Sequence, residues 1–266
     1  MGVASHRLHG YQGRMLNTIT HGTATGKTPL LIAHGLYGSA RNWGVIAKRL
    51  SDERLAVAVD MRNHGDSPQT DSHTYPELAD DLAGVIAAHG GQMDVIGHSM
   101  GGKAAMMLAL NHPQAVRRLV VADIAPVAYG HTQIQYIHAM RSVDLETLER
   151  RPEAAAQLAE AGVEPALQSF FTQSLDIPNK RWKLNLDTLA DQMPNIMSFP
   201  QTDAVWSGPA LFLSGSESDY VLPEHRKQIR ARFPAARFAK LPGAGHWLHA
   251  EKPREFEAAA RVFLNA

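Results

Sequence analysis

The 266-residue chain contains no cysteine. No part of its fold depends on a disulfide, and it is suited to a reducing cytoplasm, although the absence fits an oxidising compartment equally well. It has no apolar run long enough to span a bilayer and no signal-peptide core near its start, so the expected location is the cytoplasm. It has no surplus of either charge: 26 basic residues face 26 acidic ones. That leaves no basic footprint for nucleic acid and no acidic tail. Internal repeats, low-complexity segments and histidine pairs at metal-ligand spacing are also missing. The expectation is a soluble globular protein without metal or cofactor. Its partner is expected to be a small molecule, and the choice between monomer and homodimer is open.

What the chain does have is Gly97-His98-Ser99-Met100-Gly101. The short apolar run 93–96 precedes this G-x-S-x-G pattern, and the helix-forming stretch 102–110 follows it. Ser99 is therefore expected at a sharp strand-to-helix turn, with glycines removing the side chains that would clash there. The positive end of the following helix points at the same spot. Such a serine is a weak nucleophile until a base takes its proton, so the motif calls for a histidine. Residues 97–103 also fit most of a phosphate-cradling loop, G-x-x-x-x-G-K. The next residue there must carry a hydroxyl for magnesium, and Ala104 has none.

Apolar runs at 29–33, 55–59, 93–96, 116–122, 209–213 and 237–241 read as strands. Stretches at 42–50, 75–89, 102–110, 223–233 and 253–264 read as helices. Residues 5–20 alternate weakly, as an opening antiparallel hairpin would. Strands alternating with helices predict an α/β fold, with a mostly parallel central sheet covered on both faces. Ligands then bind beyond the carboxyl ends of the strands. His34, Ser99, Asp123 and His246 all follow such ends. Residues 127–206 break the alternation with helix-like segments near 133–150, 152–161, 164–175 and 181–192. A connection of about eighty residues is too long for an ordinary loop. The division expected is a core of 1–126 and 207–266 with 127–206 as an inserted helical cap. Of Met140, Phe170, Phe171, Trp182, Met193, Met197, Phe199 and Trp206, two or three are expected to line a pocket. The rest are expected to form the cap's own core.

The base expected for Ser99 is His246, on the glycine-rich loop 242–247 after the last strand. Its orienting acid must accept a hydrogen bond from the other imidazole nitrogen. Asp123, at the end of the strand that follows the serine's own, is favoured. Asp219 and Glu217 are the alternatives; in a G-x-x-D frame starting at Gly215 the acid position is Ser218, which leaves Asp219 one residue out of step. The oxyanion is expected to be held by the backbone N–H groups of Met100 and Leu36. His34 reads as a loop hydrogen-bonder, and Asp60, Arg62, His64 and Asp66 as a buttress for the rim. Arg141, Arg150, Arg151, Lys180, Arg181 and Lys183 could greet an anionic substrate, but more often such residues are a solvated helix face.

Six stretches together resemble α/β-hydrolases, and within them the YbfF-like esterases of bacteria and their mitochondrial abhydrolase relatives. They are His34-Gly-Leu-Tyr-Gly-Ser39, Asp60-Met-Arg-Asn-His-Gly-Asp-Ser-Pro68, Tyr75-Pro-Glu-Leu-Ala-Asp-Asp-Leu82, Gly97-His-Ser-Met-Gly-Gly-Lys103, Asp123-Ile-Ala-Pro-Val127 and Gly243-Ala-Gly-His-Trp-Leu-His-Ala-Glu-Lys-Pro253. The Asp-Ile-Ala-Pro-Val segment is the specific one. The resemblance implies the α/β-hydrolase fold, an acid at the position of Asp123, and a serine carboxylesterase acting on short-chain carboxylic esters or acyl thioesters through an acyl-enzyme. Tyr37 stands where Phe is common, and the cap is the least well matched region. Acyl transfer or perhydrolysis by the same residues, and non-hydrolytic ligand binding on the same fold, are the alternatives.

Overall fold

The computed structural model describes residues 15–266. The expected opening hairpin falls mostly before them, and its 5–14 part lies outside the described residues. The strands in chain order are β1 (Thr18–His21), β2 (Leu30–Ala33), β3 (Ala56–Val59), β4 (Met93–His98), β5 (Val116–Ala122), β6 (Leu175–Asp176), β7 (Arg181–Trp182), β8 (Ala210–Gly215) and β9 (Ala236–Leu241). Seven of them form one sheet in the order β1-β3-β2-β4-β5-β8-β9. All its pairings are parallel except that of β1 with β3. The helices are α1 (Gly44–Leu50), α2 (Tyr75–Ala88), α3 (Met100–Asn111), α4 (Ile134–Arg141), α5 (Arg151–Glu160), α6 (Pro165–Thr172), α7 (Leu186–Asp191), α8 (Met193–Met197), α9 (His225–Arg232), α10 (Leu248–Glu251) and α11 (Pro253–Asn265).

The continuous apolar runs follow from burial on both faces. Alternate side chains of one strand enter different cores. Leu31, Ala33, Val57, Val59, Val95 and Val121 pack with Leu78, Leu82, Val85 and Ile86 of α2 and with α3. Leu30, Ile32, Ala56, Ala58, Ile96 and Val120 pack with Ile46 and Leu50 of α1 and with Phe256, Ala260 and Phe263 of α11. The chain runs from β2 outward to β3 and then back to β4 on the other side of β2. This reversal opens a crevice between the loops that follow β2 and β4, where an open parallel sheet binds its ligands. Those loops are 34–39 and the turn at Ser99.

Between β5 and β8 the chain builds α4 to α8 and the small β6–β7 ladder. Two details differ from the sequence reading. The helix expected over 133–150 stops at Arg141. The Asp144 carboxylate accepts the Glu146 N–H, a local bond that competes with helix, and a fresh start with Pro152 and Glu153 in its first turn begins α5 at Arg151. Residues 181–182 are strand: Arg181 pairs with Asp176 across the ladder at 3.0 Å, and Lys180 takes up the turn at φ 50°. The segment is tied to the sheet side by backbone bonds from Gly65 N to Lys183 O (2.8 Å) and from Asn185 N to Asn63 O (2.9 Å). No helix among the described residues is long and apolar enough to cross a membrane.

Candidate active site

Ser99 joins β4 to α3 with φ 52° and ψ −121°, a left-handed conformation that costs a non-glycine residue energy. Three glycines make the turn possible by close approach. A Cβ on Gly97 would strike the Gly101 carbonyl, one on Gly101 would strike the carbonyls of Ala33 and His34, and one on Gly102 would lie 2.6 Å from Ile124 Cγ2. The turn therefore lifts Ser99 to the crevice while its helix stays packed against β2.

Ser99 Oγ lies 3.1 Å from His246 Nε2, and His246 Nδ1 lies 2.7 Å from Asp123 Oδ2. Asp123 is fully buried and also adopts a positive φ, 53°. Its Oδ1 accepts the Gly215 N–H at 3.1 Å, and its Oδ2 accepts the Ser218 hydroxyl as well as the imidazole. Ser218, the residue in the acid position of the G-x-x-D frame, thus reaches the same carboxylate. Asp219 and Glu217 are exposed, and neither is hydrogen-bonded to His246 among the described residues. Tyr220 stacks on the His246 ring, centroids 3.9 Å apart and planes 20° from parallel. His98 Nε2–H donates to the His246 carbonyl at 2.8 Å. The sequence reading identified none of His98, Ser218 and Tyr220 as contributors, since each acts through a contact made across the fold.

Leu36 follows β2, and its neighbour Gly35 lies against Ser99: a Cβ there would sit 3.2 Å from Ser99 Cβ. Met100 is the first residue of α3, so its N–H has no acceptor within the helix. Among the described residues neither the Leu36 nor the Met100 N–H has a protein acceptor. Behind Leu36, His34 Nδ1–H donates to Gly35 O at 2.8 Å and its Nε2 accepts the Met61 N–H at 2.9 Å. Asp60 accepts the N–H groups of Ala40 (2.8 Å) and Asp66 (2.9 Å). Arg62 pairs not with Asp60 but with Asp81, at 2.5 Å. The loop thus buttresses the rim.

A cavity of about 280 Å³ opens over Ser99, His246 and Leu36. Tyr37, Tyr136, Leu167, Phe170 and Phe171 give it an aromatic and apolar wall. Of the eight large side chains singled out in 127–206, Phe170, Phe171 and Met197 line it. Met140, Trp182, Met193, Phe199 and Trp206 are buried elsewhere. The six basic residues that could have met an anion do not line it. Arg141, Arg150, Arg181 and Lys183 pair with Asp187, Glu153, Asp176 and Asp66. Arg151 and Lys180 hold backbone carbonyls.

Five histidines around the site are buried: His34, His64, His73, His98 and His249. Burial disfavours the imidazolium in each. It holds His73 and His249 down to about 3 and the other three below the usual range. His249 lies flat on Trp43, centroids 4.1 Å apart, with its Nδ1 unpartnered.

Residues 30–259 match the sequence profile described as the alpha/beta hydrolase family. The chain is 41% identical over 248 residues to the sn-1-specific diacylglycerol lipase ABHD11 of Mus musculus, covering 88% of this chain and 80% of that protein. It is 40% identical over 245 residues to Esterase YbfF of Escherichia coli strain K12, covering 90% and 93%. Among solved structures, a marine microorganism esterase superimposes with a TM-score of 0.89 at 37% identity, over 94% of this chain and 99% of that one.

The buried histidines predict acid sensitivity. With folded pKa values below the unfolded 6.5, the unfolded chain binds protons that the folded chain refuses. The stability is whole above pH 6.5 and is lost as the pH falls below it. Urea unfolding at pH 5.5 should give a free energy lower than at pH 7.5, with His73 and His249 each contributing about 1 kcal/mol and the other three acting in the same direction. Equal values at the two pH values would contradict neutral burial.

Proposed function

The chain belongs to the alpha/beta hydrolase family, and from that premise we propose that it is a serine carboxylesterase acting on short-chain esters. The observation that carries this is the unbroken hydrogen-bond chain from Ser99 Oγ through His246 to Asp123. His246 Nε2 takes the Ser99 proton as Oγ adds to the ester carbonyl. The Met100 and Leu36 amides hold the oxyanion, interactions whose individual loss costs about a hundred- to a thousand-fold in rate. Asp123 keeps Nδ1 protonated and stabilises the imidazolium. That imidazolium protonates the departing alkoxide, leaving Ser99 acylated. His246 then takes a proton from water, hydroxide adds to the acyl carbon, and Ser99 leaves with its proton restored and the acid released.

We assign residues 1–126 and 207–266 as the hydrolase core and 127–206 as its cap, supported by the helical segment's contribution of Phe170, Phe171 and Met197 to the cavity. A cavity of about 280 Å³ is at the small end for ligand sites, which favours short acyl chains. The substrate is a small-molecule ester. The cytoplasm is the assigned compartment, consistent with a cysteine-free chain.

Asp123→Asn should lower kcat by about a thousand- to ten-thousand-fold with little change in the thermal midpoint, while Asp219→Asn keeps wild-type turnover. Equal losses, or loss only in Asp219→Asn, would overturn the acid assignment. Across p-nitrophenyl esters, kcat/KM should be highest between acetate and butyrate and fall with longer chains. A maximum at long chains would refute the short-chain assignment.

A further inference from the structure

The amine of Lys103 is a buried titratable group that the serine, histidine and aspartate chemistry does not use. Lys103 lies on α3, four residues and about 6 Å of helix axis beyond Ser99, and its amide donates to Ser99 O at 3.0 Å. The residue is 1% exposed. Its Nζ donates to Ser198 O at 2.6 Å and to Met197 O at 3.1 Å. It also lies 4.8 Å from the ring centre of Tyr129 and 5.7 Å from that of Tyr75. No carboxylate pairs with it among the described residues, and burial pushes its pKa down to about 7. An apolar side chain of the same length would fill the place without that desolvation cost.

The lysine's partners explain its presence. The last carbonyls of a helix have no acceptor role within it and need donors from outside. α8 has five residues, and three consecutive carbonyls at its end face the core. The Tyr75 hydroxyl donates to Ile196 O at 2.6 Å, Lys103 donates to the next two, and the Tyr129 N–H also reaches Met197 O at 3.0 Å. Ile196 and Met197 line the cavity, as do Tyr75 and Lys103 themselves.

Resting on the ester-hydrolase reading of Ser99, we propose that Lys103 and Tyr75 are specificity-determining residues: by gripping the carbonyls at the end of α8 they fix Ile196 and Met197 as the wall that limits the length of the acyl chain. A methionine at 103 would leave the part-buried Ser198 carbonyl without a donor and Met197 O with only the Tyr129 N–H, a penalty that drives the segment outward to find water. The wall then recedes and longer chains enter. Losing the Tyr75 hydroxyl frees one carbonyl and gives a smaller effect.

The test compares kcat/KM for p-nitrophenyl octanoate and butyrate in wild type, Lys103→Met, Tyr75→Phe and Arg141→Ala. Arg141→Ala breaks the Arg141–Asp187 pair between α4 and α7, away from the gripped carbonyls. The octanoate-to-butyrate ratio should rise about tenfold in Lys103→Met, the size of discrimination that one or two methylenes ordinarily give. It should rise less in Tyr75→Phe, mainly through a lower KM for octanoate, and stay at the wild-type value in Arg141→Ala. If Lys103→Met does not fold, Tyr75→Phe decides. An unchanged ratio in every Lys103 or Tyr75 variant that folds overturns the proposal, as does an equal rise in Arg141→Ala. Butyrate hydrolysis that survives Ser99→Ala would instead overturn the reading of Ser99, a result independent of the ratio.

Discussion

The backbone turn at Ser99 is the constraint on which the rest of the site depends. A β-strand running directly into a helix through one residue at φ 52° leaves no room for side chains where strand, helix and neighbouring strand meet. Gly97, Gly101 and Gly102 meet that requirement by close approach, each filling a space a Cβ would violate. The strain at Ser99 is held by the surrounding packing: α3 is buried along nearly its whole length, and its first turn rests on the carbonyls after β2. The same packing sets Gly35, the neighbour of Leu36, against Ser99. One steric solution thus sets the position of the hydroxyl and of the loop that follows β2.

Electrostatics complete what the turn begins. Asp123 is a buried carboxylate that would be costly alone. It accepts from Gly215, Ser218 and His246, so its charge is spread over three donors. The nearby histidines carry no charge that would compete, because burial keeps them neutral. His98 holds the loop that carries His246 by its carbonyl, and Tyr220 covers one face of the imidazole. The His246 ring is thus held at both ends and over one face. Lys103 is the exception to this economy, a buried amine whose donors go to the carbonyls of Met197 and Ser198.

Much of this was legible in the sequence because the informative signals are local. Apolar runs with turn residues behind them marked the six parallel strands of the main sheet, and glycines on both sides of Ser99 marked its turn. Asp123 stood out as the residue immediately after a strand, and His246 by its place on the glycine-rich loop after the last one. The contacts that join them were not legible, because they link loops far apart in the chain. Ser218 shows this well. The frame starting at Gly215 pointed to its position, but only the fold brings its hydroxyl onto Asp123. The helical segment was legible in outline and wrong in detail, since the Asp144 turn and the short β6–β7 ladder carry too little periodicity to register. Lys103 read as one residue of a rejected phosphate loop; nothing local signals that its amine reaches carbonyls some ninety residues later.

The most direct test of the central claim, that Ser99 is an activated nucleophile, is labelling with a fluorophosphonate probe followed by mass spectrometry of the adduct. The hydrogen-bond chain to Asp123 predicts one adduct, on the peptide containing Ser99, absent in Ser99→Ala. A folded wild-type protein that takes no label, or one that is labelled elsewhere and still labelled in Ser99→Ala, would contradict it.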